Sequence, residues 1–147
     1  MRRRLQLLLA ILGPCLCVPV LGQAHWLTMA GDLTTPQVDT VEVSPDSVTV
    51  FKNLRVMKIR TNRAANRITY DGLPYRSYHG TVHIDCDAKQ ARFRQMRYFL
   101  GPLWTGEARN VEYPEGDMPP VAFRDLNPNP VARIVQAACA IGTVQSR

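Results

Sequence analysis

The chain has 147 residues and a formal charge of +6, with Arg2-Arg3-Arg4 clustered at its start. Without that cluster the charge is about +3, too mild a bias to point to nucleic acid as a partner. The length suits one domain with a single modest core.

After the arginines comes an apolar run from Leu5 to about Val20, then small and polar residues around Leu21-Gly22-Gln23-Ala24. Basic start, short apolar middle and small-residue exit are the three parts of a secretory signal. A membrane-spanning helix needs about 20 uninterrupted apolar residues, and this run holds Gln6, Gly13, Pro14 and Pro19. The reading is a signal peptide over residues 1–22, cleaved near 22–24, and a single domain over 23–147 with no membrane insertion after cleavage. Leu12-Gly13-Pro14-Cys15 is a poor lipobox, because proline directly precedes the cysteine. Cys15 and Cys17 are therefore assigned to the discarded leader.

Strands are expected over Val38–Val43 and Val48–Arg60, joined by a turn at Ser44-Pro45-Asp46. Thr61–Pro74 is polar and basic and reads as a loop. In Tyr75–Cys86, Val82, Ile84 and Cys86 alternate with Thr81, His83 and Asp85, the period-two pattern of a half-buried strand. Asp87-Ala88-Lys89 is a short turn, and Gln90–Leu100 forms the other arm of a hairpin. Arg109–Tyr113 and Val121–Arg124 are shorter strand candidates around a proline-bearing acidic loop, Tyr113–Pro120.

The C-terminal segment carries the helix. Asn129 suits the N-cap and Pro130 the first helical position. Val131, Ile134, Val135 and Ala138 fall at i, i+3, i+4 and i+7 and make one apolar stripe. A helix of about a dozen residues is marginal alone in water, so it must dock. Consecutive strands followed by one helix give an α+β class: an antiparallel β-sheet of about five to six strands with the helix packed on one face.

Two cysteines, Cys86 and Cys139, remain after the leader. In an oxidising compartment an even pair in a small domain is most simply a disulfide. The competing reading is a catalytic thiol served by His83, but strand alternation points His83 and Cys86 to opposite faces.

The sequence contains no G-x-S-x-G, H-E-x-x-H, P-loop or C-x-x-C pattern. His79, His83 and Asp85 share a strand face, but residues two and four apart lie about 7 and 13 Å apart along a strand. They read as a solvated polar face rather than a metal or haem site, so no cofactor, no metal and no catalytic residue is expected. Arg92 and Arg94 are expected to share a strand face, as are Lys58 and Arg60, with Tyr75 and Tyr98 interleaved. On adjacent strands they would form an arginine–tyrosine surface for a protein partner.

A leader, a strand ending Val82-His83-Ile84-Asp85-Cys86, an Arg/Tyr-rich strand after it and a helix from Asn129-Pro130 to Cys139 together resemble the surface-adhesin protein E family. The Tyr75-x-Ser77 opening of the strand and the Asp39–Ser47 segment fit the same pattern, which spans about Trp26–Cys139. The resemblance implies an antiparallel sheet with its C-terminal helix tethered by Cys86–Cys139. It also implies a small exported bacterial protein, and the leading reading is a non-enzymatic binding or interaction protein with an envelope or host protein as its partner. The chain departs from the pattern in lacking a lipobox, and Met57 and Phe123 stand where tryptophan is expected. The missing lipobox favours the periplasm over surface display. The rival readings are an envelope-associated structural factor with no host ligand, and a small periplasmic enzyme or metal or haem binder.

Overall fold

The computed structural model describes residues 25–142, so the signal-peptide reading falls outside the described residues. Six strands form one sheet: β1 (Leu27–Ala30), β2 (Thr40–Phe51), β3 (Leu54–Ile68), β4 (Pro74–Asp85), β5 (Gln90–Phe99) and β6 (Ala108–Glu112). Spatial order equals chain order, and every neighbouring pair is antiparallel. The helix α1 (Val131–Ala140) lies across β2, β3, β4 and β5.

Alternation along the strands sorts the side chains onto two faces. Val43, Ile59, Gly80, Met96 and Val111 make one cross-strand row, and Met57, Val82 and Phe93 the next. This face receives Ile134, Val135 and Ala138 of α1, together with Val121 and Phe123 from the preceding segment. Met57 and Phe123 are both core residues here. Burying an Ile or Val side chain stabilises by about 1.5–3 kcal/mol, which is what holds so short a helix in place.

The Cys86–Cys139 disulfide forms, with the two Cα atoms 5.6 Å apart. The helix starts one residue later than expected, with Pro130 rather than Asn129 at the N-cap; just ahead of it, the Asn129 side-chain oxygen accepts a hydrogen bond from the Val131 N–H at 3.1 Å. At its end the buried Arg55 of β3 donates from Nε to the Ile141 carbonyl at 3.0 Å. That gives a donor to one of the carbonyls a helix C-terminus leaves unmatched.

Three sequence expectations are corrected. Ser44-Pro45-Asp46 is no turn: β2 runs through it with an irregular register between Ser44 and Thr49. Proline is tolerated where a bulge has already broken the ladder. Ser47 repairs the gap, its Oγ donating to the Ser44 carbonyl at 2.7 Å and accepting from the Lys58 N–H at 2.9 Å. The reversal comes instead after Phe51, where Lys52 takes φ of 52°.

The segment expected as a loop over Thr61–Pro74 is mostly strand, because β3 continues to Ile68 past a second irregularity between Asn62 and Arg67. Only residues 69–73 turn, closed by Thr69 N–H to the Leu73 carbonyl at 2.8 Å. Val121–Arg124 is not a strand either. After one bridge between Arg92 and Pro120 the chain leaves the ladder and drops Val121 and Phe123 into the core. Burial of those two side chains outweighs continued pairing.

Candidate functional site

The face opposite α1 is where polar groups converge. One row crosses the whole sheet, one residue per strand: Thr28, Glu42, Arg60, His79, Arg97 and Asn110. The row beside it is Ser44, Lys58, Thr81, Gln95 and Glu112. On the other side lie Thr40, Asn62, Ser77, Phe99 and Ala108.

Arg60 is the centre. Its Nε donates to Glu42 Oε2 at 2.6 Å, and the Glu42 side chain is only 3 % exposed. The guanidinium is also bracketed by indoles, 4.3 Å from the Trp26 ring and 3.9 Å from the Trp104 ring. These are the chain's only two tryptophans, and both are spent on one cation. Each such contact is worth about 0.5–2 kcal/mol, depending on desolvation.

Trp104 reaches this position through a constrained connection. The 3₁₀ turn Pro102–Trp104 between β5 and β6 holds Leu103 at φ of 49° and Trp104 at φ of 62°. Left-handed backbone at a bulky residue costs of order 1–3 kcal/mol, so something must hold it. Asn62 and Ser77, both fully buried, do so. Asn62 Oδ1 accepts from the Leu103 N–H at 2.8 Å, while its amide donates to the Pro36 and Val38 carbonyls. Ser77 Oγ accepts from the Trp104 N–H at 2.9 Å and donates to the Gly101 carbonyl at 2.7 Å. Gly101 has no alternative residue: a Cβ there would sit 2.3 Å from Thr105 Oγ1.

His79 sits next to Arg60 in the row, with its ring 5.3 Å from Phe99, 5.4 Å from Trp104 and 6.1 Å from Trp26. Burial, then the charges of Arg60, Arg97 and Lys58, hold the imidazole below the ordinary histidine range. His79 Nε2 and Trp104 Nε1 are buried and make no hydrogen bond among the described residues. Lys58 and Arg97 are exposed and have no carboxylate partner among the described residues, whereas Glu112 is paired with Arg94 at 2.9 Å. Trp26, Lys58, His79, Gln95, Arg97 and Glu112 are among the residues lining a half-open groove of about 720 Å³.

The residues singled out from sequence separate in space. Lys58 and Arg60 lie on the open face as alternation requires. Arg92 pairs with His83 on that same face but near the β4–β5 turn, where its guanidinium donates to the Met118 carbonyl at 3.0 Å. Arg94 does not share its face in regular alternation, because it is the extra residue of a β-bulge opposite Thr81 and Val82. Tyr75 and Tyr98 belong to the other side, their rings tilted against each other with centroids 5.1 Å apart and packed with Tyr78 against the core. The expected single arginine–tyrosine surface is therefore split by the sheet itself. Its aromatic partners are the tryptophans, not the tyrosines.

Glu42, Arg97, Trp26 and Trp104 were not singled out by sequence. The signal available was the alternation Lys58, Arg60, Asn62 on β3. The tryptophans are distant in sequence and converge only through the 3₁₀ turn and the segment before β1. His79, His83 and Asp85 do share a face, and among the described residues no three His, Cys, Asp or Glu side chains are placed to hold a metal ion.

The domain is of the single-sheet, single-helix α+β kind, with charged and aromatic groups gathered on the face its helix leaves open. The family model for surface-adhesin protein E matches residues 26–140, and the chain belongs to that family. It is also similar to a crystal structure (form II) of protein E from Haemophilus influenzae. That match has 10 % identity and a TM-score of 0.45 and covers 68 % of this chain and 80 % of that one. No curated protein matches the chain in sequence.

Proposed function

We propose that the protein is an exported, non-enzymatic binding protein that engages a protein partner through the open face of its sheet. The observation that carries this reading is the organised row from Glu42 to Asn110. The sheet's second face is not left as scattered solvated charge but is built around a bracketed guanidinium and a groove. Membership of a family described as surface adhesins supports a binding role. The leader-like N-terminus supports export, with the periplasm as the first address. No described helix is long and apolar enough to cross a membrane.

Lys58 and Arg97 form the accessible part of the surface, Arg60 and the tryptophans its rigid floor, and Arg92 its margin. Hot spots of protein interfaces favour tryptophan and arginine held rigid at the centre of a patch, which is the chemistry present. The test combines fractionation with affinity capture from envelope extracts. A partner retained by the wild type should be lost with K58E/R97E and kept with a charge reversal on the far side, such as R133E. Equal capture by all three overturns the reading.

A further inference from the structure

Resting on that reading, we infer that the groove over His79 is a carboxylate-binding site that takes an acidic, aromatic-bearing peptide segment of the partner. In this arrangement Lys58 and Arg97 supply the counter-charge, and the His79 ring lies beneath them.

The geometry converges on one point. Arg97 lies directly across from His79 on β5, and Lys58 lies diagonally on β3. Directly opposed and diagonal neighbours on a sheet are about 5 and 7–8 Å apart, within reach of both long side chains. An anion placed over the imidazole therefore meets both cations. Neither cation has a carboxylate partner among the described residues, while Arg60 beside them already has Glu42.

The same observations select the kind of anion. A long polyanion needs a continuous cationic strip. Here the row ends in Asn110 and the next row in Glu112, so positive charge is confined to one end of the groove. The half-open groove is lined by residues from β3 to β6, a span that suits an extended segment, and Trp26 offers an aromatic wall for a neighbouring side chain. Gln95 and Asn110 provide amide groups for a peptide backbone.

The proton balance gives an independent readout. The groups facing His79 are Arg60 and Lys58 from β3, Arg97 from β5, and the rings of Trp26, Phe99 and Trp104, with Glu42 behind Arg60. Burial first, and then the cations, disfavour the imidazolium in the free protein; a bound carboxylate offsets the cations' share. Binding takes up a proton, and affinity rises as pH falls from about 7.5 towards 5.5, above the ordinary glutamate range of about 4.3.

The experiment is calorimetric titration of the purified protein with a blocked peptide holding two glutamates around a phenylalanine. Its glutamine counterpart, inorganic phosphate and a heparin oligosaccharide are titrated in parallel, and the His79 ring protons are followed by NMR. Saturable binding of the acidic peptide alone is expected, weakened about two- to fivefold by K58Q or R97Q and unaffected by K89Q on the β4–β5 turn. The His79 titration should move up when the peptide binds. Equal binding of the glutamine peptide or of phosphate overturns the assignment, as does binding of the oligosaccharide alone. If no peptide binds but partner capture still depends on Lys58 and Arg97, the carboxylate site is wrong and the binding reading stands. If the peptide binds but no partner is captured through this face, the binding reading is what fails.

Discussion

Replacing Arg60 by alanine should be among the most damaging single changes on the open face. The substitution leaves Glu42 as an unpaired carboxylate whose side chain is 3 % exposed, and breaking a buried ion pair from one side costs about 3–5 kcal/mol. Arg60 keeps 18 % of its side-chain surface, which argues for the lower end of that range. Loss of the two indole contacts adds about 0.5–1 kcal/mol each at a partly exposed site. The sum is about 4 kcal/mol, a large part of the usual 5–15 kcal/mol of net stability. Unfolding entropy is about 2.1 cal/mol/K per residue, so a domain of this size should lose roughly 15 °C in Tm. R60K keeps the charge but not the flat surface between the rings and should lose about 1–2 kcal/mol. E42Q/R60M removes both charges and should return to within about 2 kcal/mol of wild type. Urea unfolding followed by far-ultraviolet circular dichroism measures all three without relying on tryptophan emission. A loss below about 1 kcal/mol for R60A, or a double variant as weak as R60A, would refute the account of this site.

Other parts of the molecule give further expectations. Removing the disulfide as C86A/C139A opens a link across 53 residues and should cost about 4 kcal/mol; an unchanged urea midpoint would contradict it. N62A cuts the buried link between the residue 36–38 segment and the 3₁₀ turn. It should cost about 2–3 kcal/mol and shift Trp104 emission to the red, whereas unchanged emission would mean the turn holds without it. R55M leaves the Ile141 carbonyl without its donor and should destabilise by about 1–3 kcal/mol, with faster amide exchange in the last turn of α1 as the distinguishing sign. His79 is held below its unfolded range, so the folded state binds fewer protons there than the unfolded state. Its contribution to stability is complete above about pH 6.5 and is lost as pH falls through the lowered folded value. Unfolding free energy should therefore fall with acidification through that window, and H79Q should remove this component of the slope.

The fold was largely legible because its strongest signals are local. The alternation of Val82, Ile84 and Cys86 and the apolar stripe from Val131 to Ala138 survive in any tertiary context, and they define the two elements the disulfide joins. The errors share one cause. Pro45 and the polar run after Thr61 look like punctuation, yet each sits at a bulge where the sheet tolerates it and the strand resumes. The site was legible only in its seed. Lys58 and Arg60 could be placed on one face from β3 alone, but their neighbours depend on register across four reversals, and bulges shift that register by unequal amounts. Tyr75 and Tyr98 are interleaved with the arginines in sequence, but the sheet puts them on its other side. Trp26 and Trp104 are placed by loops, where side-chain direction has no sequence period to read.

The Arg60 arrangement also bears on how the chain finds its alignment. Apolar patterning rejects a one-residue slip between β2 and β3, since every side chain would change faces, but it is indifferent to a slip of two. Such a slip would set Glu42 opposite Lys58 or Asn62 instead of Arg60. Lysine could still meet the carboxylate, so charge alone would tolerate one of these errors. Neither alternative puts a flat cation between Trp26 and Trp104, which arrive from outside this hairpin. The two rings thus act as a proofreading contact: they reward only the pairing in which Arg60 stands in the common row, and they couple the correct alignment of the β2–β3 hairpin to that of β5 and β6.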